Sequence, residues 1–293
     1  MLTVCIPVFN WDVSNLVKEI HRQCQLHDFE FEILAVDDCS TNQNTKIANT
    51  QIQLSHFQLI QLQGNVGNAE ARNILARSAK FDWLLFLDAD MIPANDDFIA
   101  NYLKEIQIAD FDIMSGGILY ENQVAPEFRL KWLHGKNTEE QIQGKDPYLE
   151  IRGNNFLVRK EIFLENPFGG LPENYGYVDT HFGLKLKQAG AKVKIISNPC
   201  IHLGLETNQK FIEKFKKAIQ NANWMMKNQP EMAENLRIVQ MFKKLNKLGL
   251  IQPIAYVFKK SEKKLLRNLL SENPSLLAFQ LYKLGYFCSL KTE

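Results

Sequence analysis

The chain has 293 residues, of which 45% are apolar and 23% charged, with a formal net charge of +1. This is ordinary globular composition and excludes a disordered or low-complexity chain. The length suits one large domain, or one domain with an extension. No apolar run reaches the roughly eighteen residues of a membrane-spanning helix, and the start, Met1 to Pro7, lacks the basic n-region of a signal peptide. The five cysteines (Cys5, Cys24, Cys39, Cys200, Cys288) are odd in number and show no paired spacing. They argue against a disulfide framework or zinc ribbon and for a reducing cytoplasm.

Leu2 to Val8 is a short β-branched run closed by Pro7 and Asn10 and reads as a buried strand. Val13, Leu16, Val17 and Ile20 have helical spacing. Phe31 to Asp37 is a second strand, ending in Asp37-Asp38-Cys39-Ser40, and Phe57 to Leu62 is a third, followed by a glycine turn over 64–67. Asn68 to Ala79 reads as a helix. Trp83 to Leu87 is a fourth strand and runs into Asp88-Ala89-Asp90. Asp96 to Gln107 is a helix with an acidic first turn. Ile113 to Leu119 reads as one strand, and residues 120–150 are polar and irregular. Asn155 to Arg159 is strand-like, Lys160 to Glu165 helical, Val178 to Gln188 helical with Gly190 as its stop, and Lys192 to Ile196 a strand leading to His202. Beyond Asn208 the pattern is helical to the end, with breaks expected near Pro230, Pro253 and Pro274.

Strands alternating with helices predict an α/β fold with a largely parallel sheet covered on both faces. Ligands of such sheets bind beyond the carboxyl ends of the strands. Phe9-Asn10, Asp37-Asp38 and Asp88-Ala89-Asp90 all stand at that position. Two carboxylates at i and i+2 leaving a buried strand repel each other unless a cation joins them. A divalent ion with oxygen ligands, Mg²⁺ or Mn²⁺, answers that need; two solvated loop acids are the plain alternative. His202 is a candidate further ligand or a loop histidine bonded to backbone. One member of the Asp37-Asp38 pair could accept from a base N–H, or both could simply make a turn. Arg72 could clamp a phosphate or stack near a base, or pair at the surface with Glu70 or Asp38. Asp179 is a candidate general base and equally a helix cap or dipole partner.

Together these clusters resemble the inverting family 2 glycosyltransferases, which have the GT-A fold. The strand and loop Thr3 to Asn10 resemble the family's first strand and nucleotide loop, and Val36-Asp37-Asp38-Cys39-Ser40 its Val-Asp-Asp-Gly-Ser. Residues 65–73, with Arg72, resemble its phosphate-side helix, and Leu85 to Asp90 its metal-binding DxD. Gly153-Asn154-Asn155-Phe156 resembles the segment lining the sugar pocket, and Gly176 to Gly183 the motif carrying the base. The resemblance covers about 1–205. It implies nucleotide-sugar contacts from Pro7, Phe9, Asn10, Asp38, Arg72, Asp88, Ala89, Asn154 and Asn155. It implies a metal held by Asp88, Asp90 and His202, and Asp179 as base. Two positions depart from the pattern. Cys39 stands for glycine, a change easily borne if its φ is negative, and Val178 replaces the acid that often precedes the base.

The implied reaction is metal-dependent, inverting transfer from a UDP-sugar to a hydroxyl of a glycan or lipid-linked acceptor, in cell-surface glycan or polysaccharide synthesis. The nearest rival is a sugar-1-phosphate nucleotidyltransferase, but Val8 to Val13 lacks a glycine-rich, basic phosphate loop. A non-catalytic sugar-nucleotide or membrane-binding module is the rival of another class. Residues 210–293 hold 16 basic and 6 acidic side chains, net +10, against net −9 for residues 1–209. A boundary near 209 is therefore expected, between a catalytic domain (1–209) and a basic helical region (210–293). The mixture of cations and leucines in 259–270 suits an anionic membrane surface, a solvated bundle or a self-association surface. A cytoplasmic protein, peripheral on the inner membrane face and without a nucleic-acid partner, is the expectation.

Overall fold

The structure is a computed structural model and describes residues 1–141, 146–172 and 175–290. Asn174, at the edge of the base motif, and residues 291–293 lie outside the described residues, as does 142–145 of the irregular stretch. The chain divides into two compact units. One comprises Met1–Glu121, Glu139–Gly169 and Phe182–Gly204, the other Asn122–Thr138, Gly170–His181 and Leu205–Glu293.

The first unit is built on a seven-stranded sheet. Its strands are β1 (Leu2–Val8), β2 (Phe31–Asp37), β3 (Phe57–Gln61), β4 (Trp83–Leu87), β6 (Ile113–Ser115), β8 (Asn155–Arg159) and β9 (Val193–Ile195), in the order β3-β2-β1-β4-β8-β6-β9. A second sheet joins β5 (Met91–Pro93), β10 (Cys200–His202) and β7 (Ile118–Tyr120), in the order β5-β10-β7. β3, β2, β1 and β4 run parallel, whereas β8 is antiparallel to β4 and β6. Every residue of β1 and β4 is buried, as expected of strands covered on both faces. Pro7 lies in a central strand at little cost, because the pairing of β1 with β4 ends at Cys5↔Phe86.

Helices α1 (Ser14–Gln25), α2 (Gln43–Thr50), α3 (Asn68–Ser78), α4 (Phe98–Ile108) and α6 (Lys160–Glu165) complete this layer. α2 has no apolar stripe to announce it. It is fixed by Asn42, whose side chain accepts from the backbone of Asn44 and Thr45. α4 begins at Phe98, so Asp96 and Asp97 precede the helix rather than fill its first turn. The strand expected over 113–119 is two strands in different sheets. Gly117, at φ +89°, turns the chain from one to the other, and a Cβ on Gly116 would meet the Tyr102 hydroxyl at 2.2 Å.

The second unit contains α5 (Arg129–His134), α8 (Asn208–Asn228), α9 (Pro230–Ala233), α10 (Arg237–Lys247), α11 (Ile251–Leu269) and α12 (Leu276–Ser289). Its core gathers Leu130, Phe211, Ile212, Phe258, Phe279 and Tyr282. Two internal segments join it through side-chain amides. Asn208 accepts from the Leu130 N–H, and Asn221 donates to the carbonyls of Tyr175 and Gly176. The charge-based boundary at 209 anticipates neither segment. Pro230 opens α9 as expected. Pro253, however, sits in the first turn of α11, where its missing N–H has no helical partner anyway, and the break falls earlier at Gly249. α7 (Val178–Gln188) starts in this unit and continues into the other.

Candidate functional site

Because β1, β2 and β4 are parallel, their carboxyl ends share one edge of the sheet and bring three polar clusters together. β8 is antiparallel, so its beginning lies at that edge, with Asn155 opposite Leu87. The Asp88 N–H donates to the carbonyl of Asn154 at 3.2 Å. Segment 153–155 thus reaches the site from the start of a strand.

The turns at this edge hold one another. The Asn10 side-chain oxygen accepts from the N–H groups of Thr41 and Asn42, while the Asn10 N–H donates to the Ser40 hydroxyl. Asp37 accepts from the Ser40 N–H at 2.9 Å. Asp38 is buried, and its two oxygens accept from the N–H groups of Val66 at 2.6 Å and Gly67 at 2.9 Å. Both acids therefore brace turns. A carboxylate offers about four lone-pair sites, so Asp38 retains room for one more donor. Phe9, 51% exposed, presents an aromatic face beside this loop. Cys39 has φ +59°, so the side chain in the family's glycine position does stand in the left-handed region. The condition under which the replacement is easily borne is not met.

Arg72 lies neither on the surface nor beside Glu70. It is 4% exposed, and its Nη2 donates to Asp88 Oδ1 at 2.5 Å and to the Gly153 carbonyl at 2.8 Å. The guanidinium lies over the Phe168 ring, 5.0 Å from its centroid. Phe168 in turn stacks on Phe182, next to Phe156 and Phe163. A planar cation is thereby fixed against an aromatic floor and orients the first acid of Asp88-Ala89-Asp90.

His202 is on a strand, not a loop. The register His202↔Met91 in the small sheet sets it beside Asp90, whose Oδ2 lies 3.1 Å from His202 Nε2. The histidine ring meets Tyr120 edge-on. Gly204 closes the corner, since a Cβ there would fall 2.1 Å from Asp90 Oδ2. Among the described residues, no three acidic, histidine or cysteine side chains form a metal cage by themselves. Asp90 and His202 nevertheless fit a divalent cation of the Mn²⁺ kind. They offer one oxygen and one nitrogen donor close enough to share a cation, and both are partly accessible. An ion that also binds substrate phosphates needs only one or two protein ligands. Cys200, at the start of the same strand, is wholly buried, and burial pushes its thiol well above the usual range.

The two asparagines diverge. Asn155 is wholly enclosed: its oxygen accepts from the Tyr102 hydroxyl, and its amide donates to the carbonyls of Gly117 and Asn198. It ties the two sheets and has no face left for a sugar. Asn154 is half-buried, and its side-chain oxygen has no partner among the described residues. Asp179 stands in the first turn of α7, one position past the first helical residue, and so is not the cap; Tyr177 before it has φ +60°. The roles of Arg72 and Asn155 were beyond sequence reading, since each depends on partners distant along the chain.

The family model for Glycosyl transferase family 2 matches residues 3–166, more than half of the chain. An uncharacterized glycosyltransferase of Haemophilus influenzae is 36% identical over 92 residues, 31% of this chain and 29% of that relative. The poly(ribitol-phosphate) β-N-acetylglucosaminyltransferase TarS of Staphylococcus aureus is 31% identical over 94 residues, 30% of this chain and 16% of its own. The matched stretches thus span less than a third of these relatives. The crystal structure of TarS 1–349 in complex with UDP-GlcNAc is similar over 98% of this chain and 89% of that one (TM-score 0.50, 17% identity). A mannosyltransferase from Pyrobaculum calidifontis, in complex with GDP-Man and Mn²⁺, is similar over 99% and 85% (TM-score 0.57, 16% identity). At such identities the structural likeness speaks for the fold, which is GT-A. With the motifs in the family's order and its model covering residues 3–166, the chain belongs to glycosyl transferase family 2.

Proposed function

We propose that this protein transfers a sugar from a UDP-sugar to an acceptor hydroxyl with inversion, using Mn²⁺ or Mg²⁺, in cell-surface glycan or polysaccharide synthesis. The observation that carries this reading is the corner at the end of β4. There Arg72 holds Asp88, and Asp90 shares its outer oxygen with His202. The solved complexes of TarS with UDP-GlcNAc and of the mannosyltransferase with GDP-Man and Mn²⁺ support a nucleotide-sugar donor and a divalent ion.

Pro7 and Asn10 shape the nucleotide loop, Phe9 offers its ring to the base, and Asp38 accepts a base N–H while keeping its two backbone bonds. Asp88 and Ala89 contact the ribose side, Asp88 also facing the metal shell, and the free oxygen of Asn154 receives a sugar hydroxyl. Asp90 and His202 hold the cation, which when bound neutralises the diphosphate leaving group, a contribution of several kcal/mol. Asp179 takes the proton of the acceptor hydroxyl as that oxygen attacks the anomeric carbon from the face opposite the diphosphate. One such displacement converts an α-linked donor into a β-linked product. The acceptor is a glycan or a lipid-linked hydroxyl. The cationic helical region 210–293 keeps the enzyme on the cytoplasmic membrane face; no helix of the described residues is long and apolar enough to cross a membrane.

A nucleotide-release screen over a panel of UDP-sugars with Mn²⁺, with GDP-mannose as the contrasting donor, tests the reading. Release from one UDP-sugar, suppressed by chelation, is expected. Calorimetry of UDP with Asp90→Ala should lose the Mn²⁺-dependent heat. UDP heat unchanged by both Asp90→Ala and chelation would overturn the metal assignment, and release from GDP-mannose alone would overturn the donor.

A further inference from the structure

The helical unit carries a surface that its own core does not explain. α11 and α12 pack side by side, with Phe258, Phe279 and Tyr282 turned into the core. On their other side an open groove of about 740 Å³ runs between them, lined mainly by apolar side chains such as Ile254, Val257, Leu277, Leu281 and Leu284. α12 has a single charged residue, Lys283, and is apolar on both faces. A helix apolar all round belongs inside a protein or a lipid phase, yet Leu277 is 70% exposed, Leu281 52% and Val257 61%. The groove is within the usual range of about 300–1,000 Å³ for ligand sites, but Ser261, Lys264, Asn268 and Ser275 are the polar side chains among its lining residues.

Charge decides the occupant. α11 carries Lys259, Lys260, Lys263, Lys264 and Arg267 against one acid, Glu262, which accepts a bond from the Tyr282 hydroxyl. Lys264 itself lines the groove. Lys260 stands one helical turn beyond exposed Tyr256 and lies over its ring at 5.7 Å. An apolar strip with lysines along its lip and a tyrosine beside it has the composition of an interfacial anchor. A second copy of this surface would set like-charged helices face to face, whereas an anionic bilayer answers both the charge and the leucines. We infer that the α11–α12 groove is a lipid-docking site, in which an anionic phospholipid places an acyl chain between Val257, Leu277 and Leu281 and its headgroup among Lys260, Lys264 and Arg267. This deepens, and rests on, the membrane reading proposed above, and it is independent of the donor and of the metal.

Co-sedimentation of the full chain with vesicles tests it without any sugar nucleotide. Binding to phosphatidylcholine–phosphatidylglycerol vesicles is expected, with much weaker binding to phosphatidylcholine alone. Each of Lys260→Gln and Lys264→Gln should weaken it about fivefold. Leu277→Glu/Leu281→Glu, both at exposed positions, should weaken it tenfold or more while leaving the far-UV spectrum and nucleotide release unchanged. In Leu281→Trp, acyl-brominated lipids should quench the emission above that of the unmodified chain. Absence of anionic-vesicle binding would overturn the inference. So would binding that responds to salt but not to the leucine changes, since adsorption would then be purely electrostatic. A chain found dimeric by ultracentrifugation, made monomeric by the leucine changes with vesicle binding intact, would overturn it in favour of a second copy. Loss of nucleotide release in Asp90→Ala bears on the catalytic reading alone.

Discussion

The two units solve opposite problems. The sheet unit concentrates charge: four carboxylates, a guanidinium and an imidazole stand at one edge, and backbone N–H groups or fixed side chains hold most of them in place. The helical unit disperses charge, with lysines spread along amphipathic helices and an apolar groove open on one side. In the first, position matters to a fraction of an ångström, as the distance from Gly204 to Asp90 shows. In the second, overall amphipathicity matters more than any one position. Substitutions should therefore be sharp and chemical at the sheet edge, graded and physical along the lysine-bearing helices beyond Leu205; Asp179, in segment 170–181 of the second unit, is the chemical exception there.

The largest effect should separate nucleotide holding from proton removal. Asp179→Asn keeps size and hydrogen bonding but cannot take a proton. Sugar transfer should fall about 10²–10⁴-fold, with calorimetric UDP affinity within about twofold of the original. Turnover at the original rate would remove Asp179 from the mechanism. Next is Arg72→Met, which leaves Asp88 beside an aromatic floor without its cation. Removing one partner of a buried pair costs about 3–5 kcal/mol, and the partial exposure of Asp88 brings the expectation down to about 2–3 kcal/mol in urea unfolding. Arg72→Met/Asp88→Asn should recover part of that loss; additive losses would deny the coupling.

Among the helices beyond Leu205 the corresponding effect is smaller and depends on pH. Burial pushes Lys283 down to about 8, although its ammonium also lies over the rings of Phe215 and Phe279, 4.9 Å from each centroid. The folded value is below the unfolded one, so the unfolded chain binds more protons between about pH 8 and about pH 10. Stability should therefore rise with pH across that window, by about 1–2 kcal/mol after allowance for the ring contacts. Below it the full burial cost remains. Subtracting the same denaturant titration on Lys283→Met isolates the contribution from other lysines and tyrosines. A flat difference would show that the ammonium is adequately solvated.

How far each unit could be read from sequence follows the same division. β1, β2 and β4 are mostly apolar runs, broken only by Thr3 and Glu32, that stop at Asn10, Asp37-Asp38 and Asp88, so local pattern alone located the site's edge. The three-residue strands β5, β7 and β10 carry no period, and with them went the seating of His202 beside Asp90. Arg72 and Asp88 are sixteen positions apart on different elements, and Asn155 joins partners from 102 to 198; only the folded topology reveals such links. The basic charge of 210–293 was evident at once. That Leu277 and Leu281 face outward while Phe279 and Tyr282 face inward was not, because α12 is apolar all round and has no polar face to set its orientation.

The smallest effect bears on how the sheet unit holds its edge. Asn10 and Cys39 both have positive φ, +54° and +59°, in the loops after β1 and β2 that Asn10 and Ser40 lace together. Asparagine visits that region comparatively readily; cysteine does not, and the conformation costs a residue with a Cβ about 1–2 kcal/mol. Strain of this kind persists only where neighbouring bonds over-determine the backbone, and here Asp37 and Asp38 supply them. Cys39→Gly should relieve the steric cost and lose about half of it again to the greater freedom of glycine when unfolded, a net gain of about 0.5–1 kcal/mol. A rise of about 2 °C in the unfolding midpoint is the observable. Cys39→Ala, which keeps the Cβ, should give none of it. If both variants shift the midpoint equally, the gain comes from removing the thiol, and the strand-end loops are not under backbone strain. If only glycine gains, the edge that orders the acids of this unit is held against a local cost that the helices between Leu205 and Leu290 do not carry, Tyr177 being the non-glycine residue at positive φ in the second unit.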